Sequence, residues 1–117
     1  MERRLHRRVR AHIKSLLQEN AQEQEMEGKV VDLSLGGAKF ESPLIATPGK
    51  QVTVKFVVPG AGTPIYIEHA EIRWVHDRAF GVKFLEIRPN QLDELEQLID
   101  EYVAADAQPE SNNRSDS

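Results

Sequence analysis

Apolar and polar residues alternate along much of the chain before Pro89, which is the pattern of strands that bury one face. The clearest case is the segment 51–58. It has apolar residues at every second position, namely Val52, Val54, Phe56 and Val58. This spacing predicts an extended strand with one side in a core and the other in water.

Five further segments show the same alternation and are predicted strands: 9–18, 28–33, 38–41, 65–74 and 80–84. The pattern of the first segment is compatible with either a helix or a strand. We favour a strand, because the polar residues 18–25 then form a turn. The alternation slips between Ile67 and Ala70, which predicts a bulge or bend there. Asp77 and Arg78 mark a tight turn between the last two strands.

The pattern changes to a helical one after Pro89, which suits the first turn of a helix. Apolar side chains then recur at helical spacing: Leu92, Leu95, Leu98, Ile99 and Tyr102. Six consecutive strands with short links, followed by one helix, favour an antiparallel barrel with the helix packed against it or capping it. We therefore divide the chain into a basic arm at 1–8, a barrel plus helix at 9–103 and a disordered acidic tail at 104–117.

Charge is distributed unevenly along the 117 residues, whose formal net charge is −4. Residues 1–14 carry six Lys or Arg and one Glu, whereas residues 86–117 carry nine acids and two arginines. A basic arm on an acidic body attracts small anions locally, but the overall acidity argues against a DNA partner. The chain has no Cys, no apolar run that could span a membrane and no apolar segment of a secretory signal, so we expect a cytoplasmic protein.

The arm contains four arginines, Arg3, Arg4, Arg7 and Arg8, in two pairs with a spacing of four. Guanidinium groups stay charged, donate hydrogen bonds in a fixed fork and stack on aromatic planes, so a pair can grip an anionic ligand. From the arginines alone, a solvated basic segment, a targeting tag or non-specific RNA contact is the favoured interpretation.

A second polar cluster follows the second predicted strand and consists of Asp32, Ser34 and Gly37. The carboxylate can accept two parallel hydrogen bonds from a base with adjacent N–H groups, as guanine has. The hydroxyl can donate to a base or phosphate oxygen, and the glycine permits a positive φ and a close ligand approach. The competing interpretation is a plain turn, since Asp, Ser and Gly are common turn residues.

Together the two clusters resemble the PilZ domain, a bacterial receptor module for cyclic di-GMP. Its signature is an RxxxR motif near the start and a D/N-x-S-x-x-G motif after the next strand. The second motif is complete here, and the first occurs as Arg3-x-x-x-Arg7 and as Arg4-x-x-x-Arg8. We favour Arg4 and Arg8, because Arg8 directly precedes the first strand at Val9.

The resemblance extends over residues 3–103 through the strings 36–40 and 81–84 and through Trp74. It implies a six-stranded barrel with a C-terminal helix, in agreement with the strand count. It also implies that the arginines contact guanine faces and phosphates, that Asp32 and Ser34 bind a guanine edge, and that Gly37 leaves room for the ligand. For Trp74 two interpretations stay open, stacking on a base or an ordinary core position.

The resulting hypothesis is a cyclic di-GMP effector whose arm changes conformation on binding and which signals to a separate, unidentified partner protein. The alternatives are a module of the same fold that binds protein and no nucleotide, and an RNA-binding protein that uses the arm. We expect no enzyme and no metal site, because the chain has no catalytic constellation and its four histidines lack metal-ligand spacing: His6, His12, His69 and His76. The number of ligands bound and the formation of a dimer are left open.

Overall fold

A computed structural model describes residues 8–19, 25–42, 46–60 and 62–107. The alternating segments within these ranges form six β-strands, and the segment with helical spacing forms one α-helix. The elements are β1 (Val9–Glu19), β2 (Met26–Leu33), β3 (Gly37–Glu41), β4 (Gln51–Phe56), β5 (Ile65–His76), β6 (Ala79–Glu86) and α1 (Pro89–Ala107).

The six strands form a closed antiparallel barrel in the order β1-β2-β3-β6-β5-β4. Four of the six pairings join consecutive strands. The other two join β1 to β4 and β3 to β6, and they close the barrel. A closed barrel leaves no strand edge unpaired, so no open edge is offered to another chain. The predicted architecture, a six-stranded antiparallel barrel with a C-terminal helix, is confirmed.

Aromatic side chains fill the centre of the barrel. Phe40 stacks on Phe80 and Phe56, with ring centroids 5.5 and 6.3 Å apart, and Phe84 meets Phe56 edge-on at 6.1 Å. These four phenylalanines are all those in the chain, and all are buried. The helix closes one side of the core, where Leu95 and its apolar neighbours pack against β1 and β5.

Two bulges bend β5 and change which side chains face the core. Val54 pairs with Ile67 whereas Val52 pairs with Ala70, so β5 carries one extra residue there, and the predicted bulge is confirmed. A second bulge at Arg73 was not predicted, and it turns the following residue outward. Trp74 therefore lies outside the core and is 43% exposed, so the core interpretation of this residue is wrong.

The element boundaries agree with the sequence prediction in most places. The first segment is a strand, and β1 extends to Glu19. The fourth strand ends at Phe56, two residues before the predicted end, and the helix extends to Ala107, past residue 103. The arm residues 1–7 and the tail residues 108–117 lie outside the described residues.

We expect Phe40→Ala to lower the free energy of unfolding by about 3–5 kcal/mol, because the substitution removes the middle ring of the aromatic stack and leaves a cavity. Leu85→Ala on the exposed side of β6 is the control and should change stability by no more than about 0.5 kcal/mol. Urea unfolding followed by circular dichroism measures both. Equal effects of the two substitutions would contradict the assigned core.

Candidate functional site

A cavity of about 580 Å³ lies on the outer face of the barrel and collects residues from five strands or their ends. Arg8 directly precedes β1, Asp32 lies near the end of β2 and Gly37 begins β3. Gly81 comes from β6 and Trp74 from β5. The barrel thus brings residues that are far apart in sequence to one surface depression.

Five of the eight predicted site residues line this cavity: Arg8, Asp32, Ser34, Gly37 and Trp74. The remaining three, Arg3, Arg4 and Arg7, lie outside the described residues. The two motifs therefore meet in space at Arg8, which directly precedes β1, and at Asp32 on the neighbouring strand β2.

Strand pairing explains this convergence. Asp32 lies opposite Lys39 on β3, Lys39 lies opposite Gly81 on β6, and Gly81 lies opposite Trp74 on β5. These residues form one row across four strands, and Arg10 on β1 continues it beyond Asp32. Residues directly opposite on antiparallel strands project from the same face, so the row forms a continuous surface.

Ser34 organises the turn between β2 and β3. Its backbone N–H and its hydroxyl both donate to the carbonyl of Gly37, at 2.9 and 3.3 Å, and its Oγ accepts the N–H of Gly36 at 3.2 Å. The carbonyl of Gly36 in turn accepts the N–H of Phe84 on β6 at 2.9 Å. With only 4% of its surface exposed, Ser34 holds the turn and ties it to the barrel.

Gly37 is required for a different reason than the sequence suggested. Its φ is not positive; among the described glycines, positive φ values occur at Gly49, Gly60 and Gly62. A Cβ atom at position 37 would instead overlap the carbonyl oxygen of Val82 on the adjacent β6. Gly37 therefore does not use its freedom to adopt a positive φ, and its missing side chain instead allows a close approach of two strands.

Arg8 and Asp32 form a loose ion pair, with Nη1 and Oδ1 separated by 3.7 Å. This separation exceeds hydrogen-bond length, and the two side chains are 57% and 35% exposed. Such a pair contributes little to stability. Both groups consequently keep hydrogen-bonding capacity for a molecule in the cavity.

The indole of Trp74 lies directly over Gly81. A Cβ atom added at position 81 would overlap the Nε1, Cε2 and Cδ1 atoms of the ring. The missing side chain thus creates the space that the indole occupies, and Gly81 is itself buried beneath it. The arrangement gives the cavity a partly exposed aromatic wall.

Sequence reasoning missed three cations of the cavity, namely Lys39, Arg73 and Lys83. Together with Arg8 they oppose one carboxylate among the described lining residues, although the whole chain has a net charge of −4. For the two lysines the sequence did contain a signal, because each of the strings 36–40 and 81–84 has a lysine at a position that alternation places on the outer face. The cavity therefore suits an anionic ligand that also has an aromatic face.

The fold and the cavity together define a small barrel module with a cationic cavity on its outer face. A family model for the PilZ domain matches residues 2–101, and the chain belongs to this family. PilZ domains form a family of cyclic di-GMP receptors, and they act as ligand-binding or adaptor modules.

Solved structures with the same fold support this assignment. The PilZ domain of CeSA from a cellulose-synthesising bacterium is 18% identical, with a TM-score of 0.65, and the match covers 86% of this chain and 98% of that one. The PilZ domain of Escherichia coli YcgR, solved with c-di-GMP, is 17% identical, with a TM-score of 0.70 and coverages of 89% and 94%. The inhibitor of motility MotI/DgrA from Bacillus subtilis is 19% identical, with a TM-score of 0.74 and coverages of 92% and 55%.

A search of curated proteins gave no match. Within the described part of the chain, no helix has the length and apolar character needed to span a membrane.

We expect Gly81→Ala to displace the indole of Trp74, because the new methyl group would overlap the ring and a side chain can move away more easily than a backbone can. Trp74 is the single tryptophan, so its fluorescence emission reports the displacement directly. Gly36→Ala is the matched control, since an added Cβ there meets no atom within 4 Å. Identical emission spectra of wild type and Gly81→Ala would contradict the packing described here.

Proposed function

We propose that this chain is a cytoplasmic effector that binds cyclic di-GMP in the cavity and signals to a separate partner protein. The observation that carries the proposal is the convergence of Arg8, Asp32 and Trp74 on one cationic cavity. These side chains supply a phosphate contact, a base-edge contact and a stacking surface. Cyclic di-GMP offers all three complementary groups, because it has two phosphodiesters and two guanines.

Asp32 is the group that would select guanine. Its carboxylate can accept both the N1–H and the exocyclic N–H of a guanine edge. Adenine presents a ring acceptor at the corresponding position, so an adenine there would place a lone pair against the carboxylate. A polar group left without a partner on binding costs about 1–3 kcal/mol, which is sufficient for a strong preference between the two bases.

Arg8 is the group that would contact phosphate and the face of a base. Its guanidinium combines a permanent charge with a planar surface, and it stands beside Asp32 at the cavity edge. This position supports Arg4 as its partner in the RxxxR motif. In the proposal Arg3 and Arg7 add supporting or alternative contacts.

Ser34 and Gly37 would serve the site mainly through the turn that they shape. The hydroxyl of Ser34 already donates to Gly37 and accepts from Gly36, which leaves one lone pair to accept a hydrogen bond from the ligand. The refined proposal is therefore that Ser34 accepts from a guanine edge and fixes the end of β2, on which Asp32 is carried.

The energetics are compatible with micromolar binding. A Kd of 1 μM corresponds to about −8 kcal/mol. Hydrogen bonds to charged groups contribute about 1.5–3 kcal/mol each, and a desolvated cation–π contact about 2 kcal/mol. A few such contacts suffice when the barrel side of the site is already formed, as the hydrogen bonds around Ser34 indicate.

We expect Arg8→Ala and Asp32→Ala each to raise the Kd for cyclic di-GMP at least about tenfold, which is about 1.4 kcal/mol, while the barrel stays folded. Isothermal titration calorimetry gives the Kd, and circular dichroism verifies the fold. Arg88→Ala is the control, because it removes an exposed arginine that pairs with Glu68 outside the cavity. Cyclic di-AMP should bind the wild type at least about tenfold more weakly than cyclic di-GMP.

Two results of this titration would reject the proposal. Wild-type affinity in both variants would remove the assigned roles of Arg8 and Asp32. Absence of binding by the wild type would favour the alternative module, which has the same fold and acts through protein contacts alone.

We further propose that ligand binding changes the conformation of the arm, so that a partner recognises a different surface in the two states. The arm arginines would then close over a ligand seated between Asp32 and Trp74. Amide hydrogen exchange of residues 2–9 should slow at saturating cyclic di-GMP, while exchange in the β4 strand stays unchanged. Equal exchange of residues 2–9 with and without ligand would argue against this switch.

A further inference from the structure

Two lysines and two glycines alternate where β3 meets β6 on the outer face of the barrel. Lys39 lies opposite Gly81, and Lys83 lies opposite Gly37. The lysines are therefore diagonal neighbours, about 7–8 Å apart at their backbones, and each faces a residue without a side chain. Both line the cavity, and the glycines place no side chain between them, although the indole of Trp74 covers Gly81.

Acidic residues lie directly across the other neighbouring strands, but they pair with arginines. Asp32 lies opposite Lys39 and pairs with Arg8, and Glu71 lies opposite Lys83 and pairs with Arg73 through Oε1 and Nε at 3.4 Å. Neither lysine has an ion pair within the described ranges 8–19, 25–42, 46–60 and 62–107.

Two other outward lysines of the barrel have an acidic partner, whereas Lys29, which does not line the cavity, has no ion pair among the described residues. Lys14 on β1 pairs with Glu27 at 3.5 Å, and Lys55 on β4 pairs with Glu25 at 3.2 Å. Like charges on adjacent strands are unfavourable unless something compensates them. An anion between Lys39 and Lys83 would supply that compensation at the place where the fold has left both ammonium groups unpaired.

We propose that Lys39 and Lys83 form a phosphate-binding subsite on the barrel wall, which holds one phosphodiester of the ligand while Arg8 acts from the opposite edge of the cavity. This subsite lies outside both sequence motifs. It rests on the proposed function for the identity of its ligand, a cyclic dinucleotide, but its affinity for phosphate follows from the lysines alone. It gives the barrel its own phosphate contact, independent of the arm.

The first experiment measures cyclic di-GMP binding by calorimetry with the full chain, at low and at high ionic strength. Lys39→Gln with Lys83→Gln should raise the Kd about tenfold at low salt and should flatten the dependence of Kd on salt. Lys29→Gln is the matched control. Lys29 is also a strand lysine opposite an acid, Glu41, but it does not line this cavity. A double variant that binds like the wild type at both salt concentrations overturns the proposal.

The second experiment separates the subsite from the proposed function. Inorganic pyrophosphate is titrated into the full chain, and the amide NMR signals of Gly37 and Gly81 are followed. If the wild type does not bind cyclic di-GMP, the proposed function fails and this titration alone decides the subsite. The subsite is supported if the wild type and Lys29→Gln show the shifts and the double variant does not. It is overturned if the wild type shows no shifts, or if the shifts persist in the double variant.

Discussion

The close approach of β3 and β6 at Gly37 is the constraint on which the rest of the structure depends. A Cβ atom at this position would overlap the carbonyl of Val82, so the two strands can pair here only because residue 37 has no side chain. Their pairing joins an early hairpin to the last strand and closes the barrel. The hydrogen bond from Phe84 N–H to the Gly36 carbonyl extends the contact into the turn.

The same contact also assembles the cavity. Once β3 lies beside β6, the row that begins at Asp32 continues through Lys39 and Gly81 to Trp74. The bulge at Arg73 then decides the direction of the indole, because one extra residue in β5 moves Trp74 from the inner to the outer face. The same strand pairings thus close the barrel and bring the residues of the cavity together.

The sequence predicts the fold better than it predicts the site, for a physical reason. Alternation in a segment such as 51–58 and helical spacing after Pro89 are local properties, and they identify the elements. Whether Trp74 faces the core or solvent depends on a bulge, which cannot be seen in the alternation of Trp74 with Ile72. The roles proposed for Lys39 and Lys83 depend on a pairing between residues more than forty positions apart, which no local pattern contains.

The motif of Asp32, Ser34 and Gly37 is a second case in which the local sequence pattern was ambiguous. From the sequence, a plain turn and a ligand site were competing interpretations of this motif. In the structure the two are compatible, because the turn positions the carboxylate on which the proposed binding depends. Ser34 and Gly37 fix the turn and the strand contact, and this fixes the end of β2, which presents the Asp32 carboxylate. A residue pattern that looks like an ordinary turn can therefore also place a carboxylate at a cavity.

Charge placement bears on which ligand the proposed site would accept. The described part of helix α1 carries acids and no Lys or Arg, and none of its residues lines the cavity. Fields between exposed charges are screened within about 8 Å at physiological ionic strength, so the cationic cavity acts on a ligand that is small enough to enter it. A long polyanion such as RNA that extended from the cavity to the helix would meet these acids, and its phosphates would be repelled there. A compact dianion avoids this repulsion, which favours a small nucleotide over a nucleic acid as the occupant of the cavity.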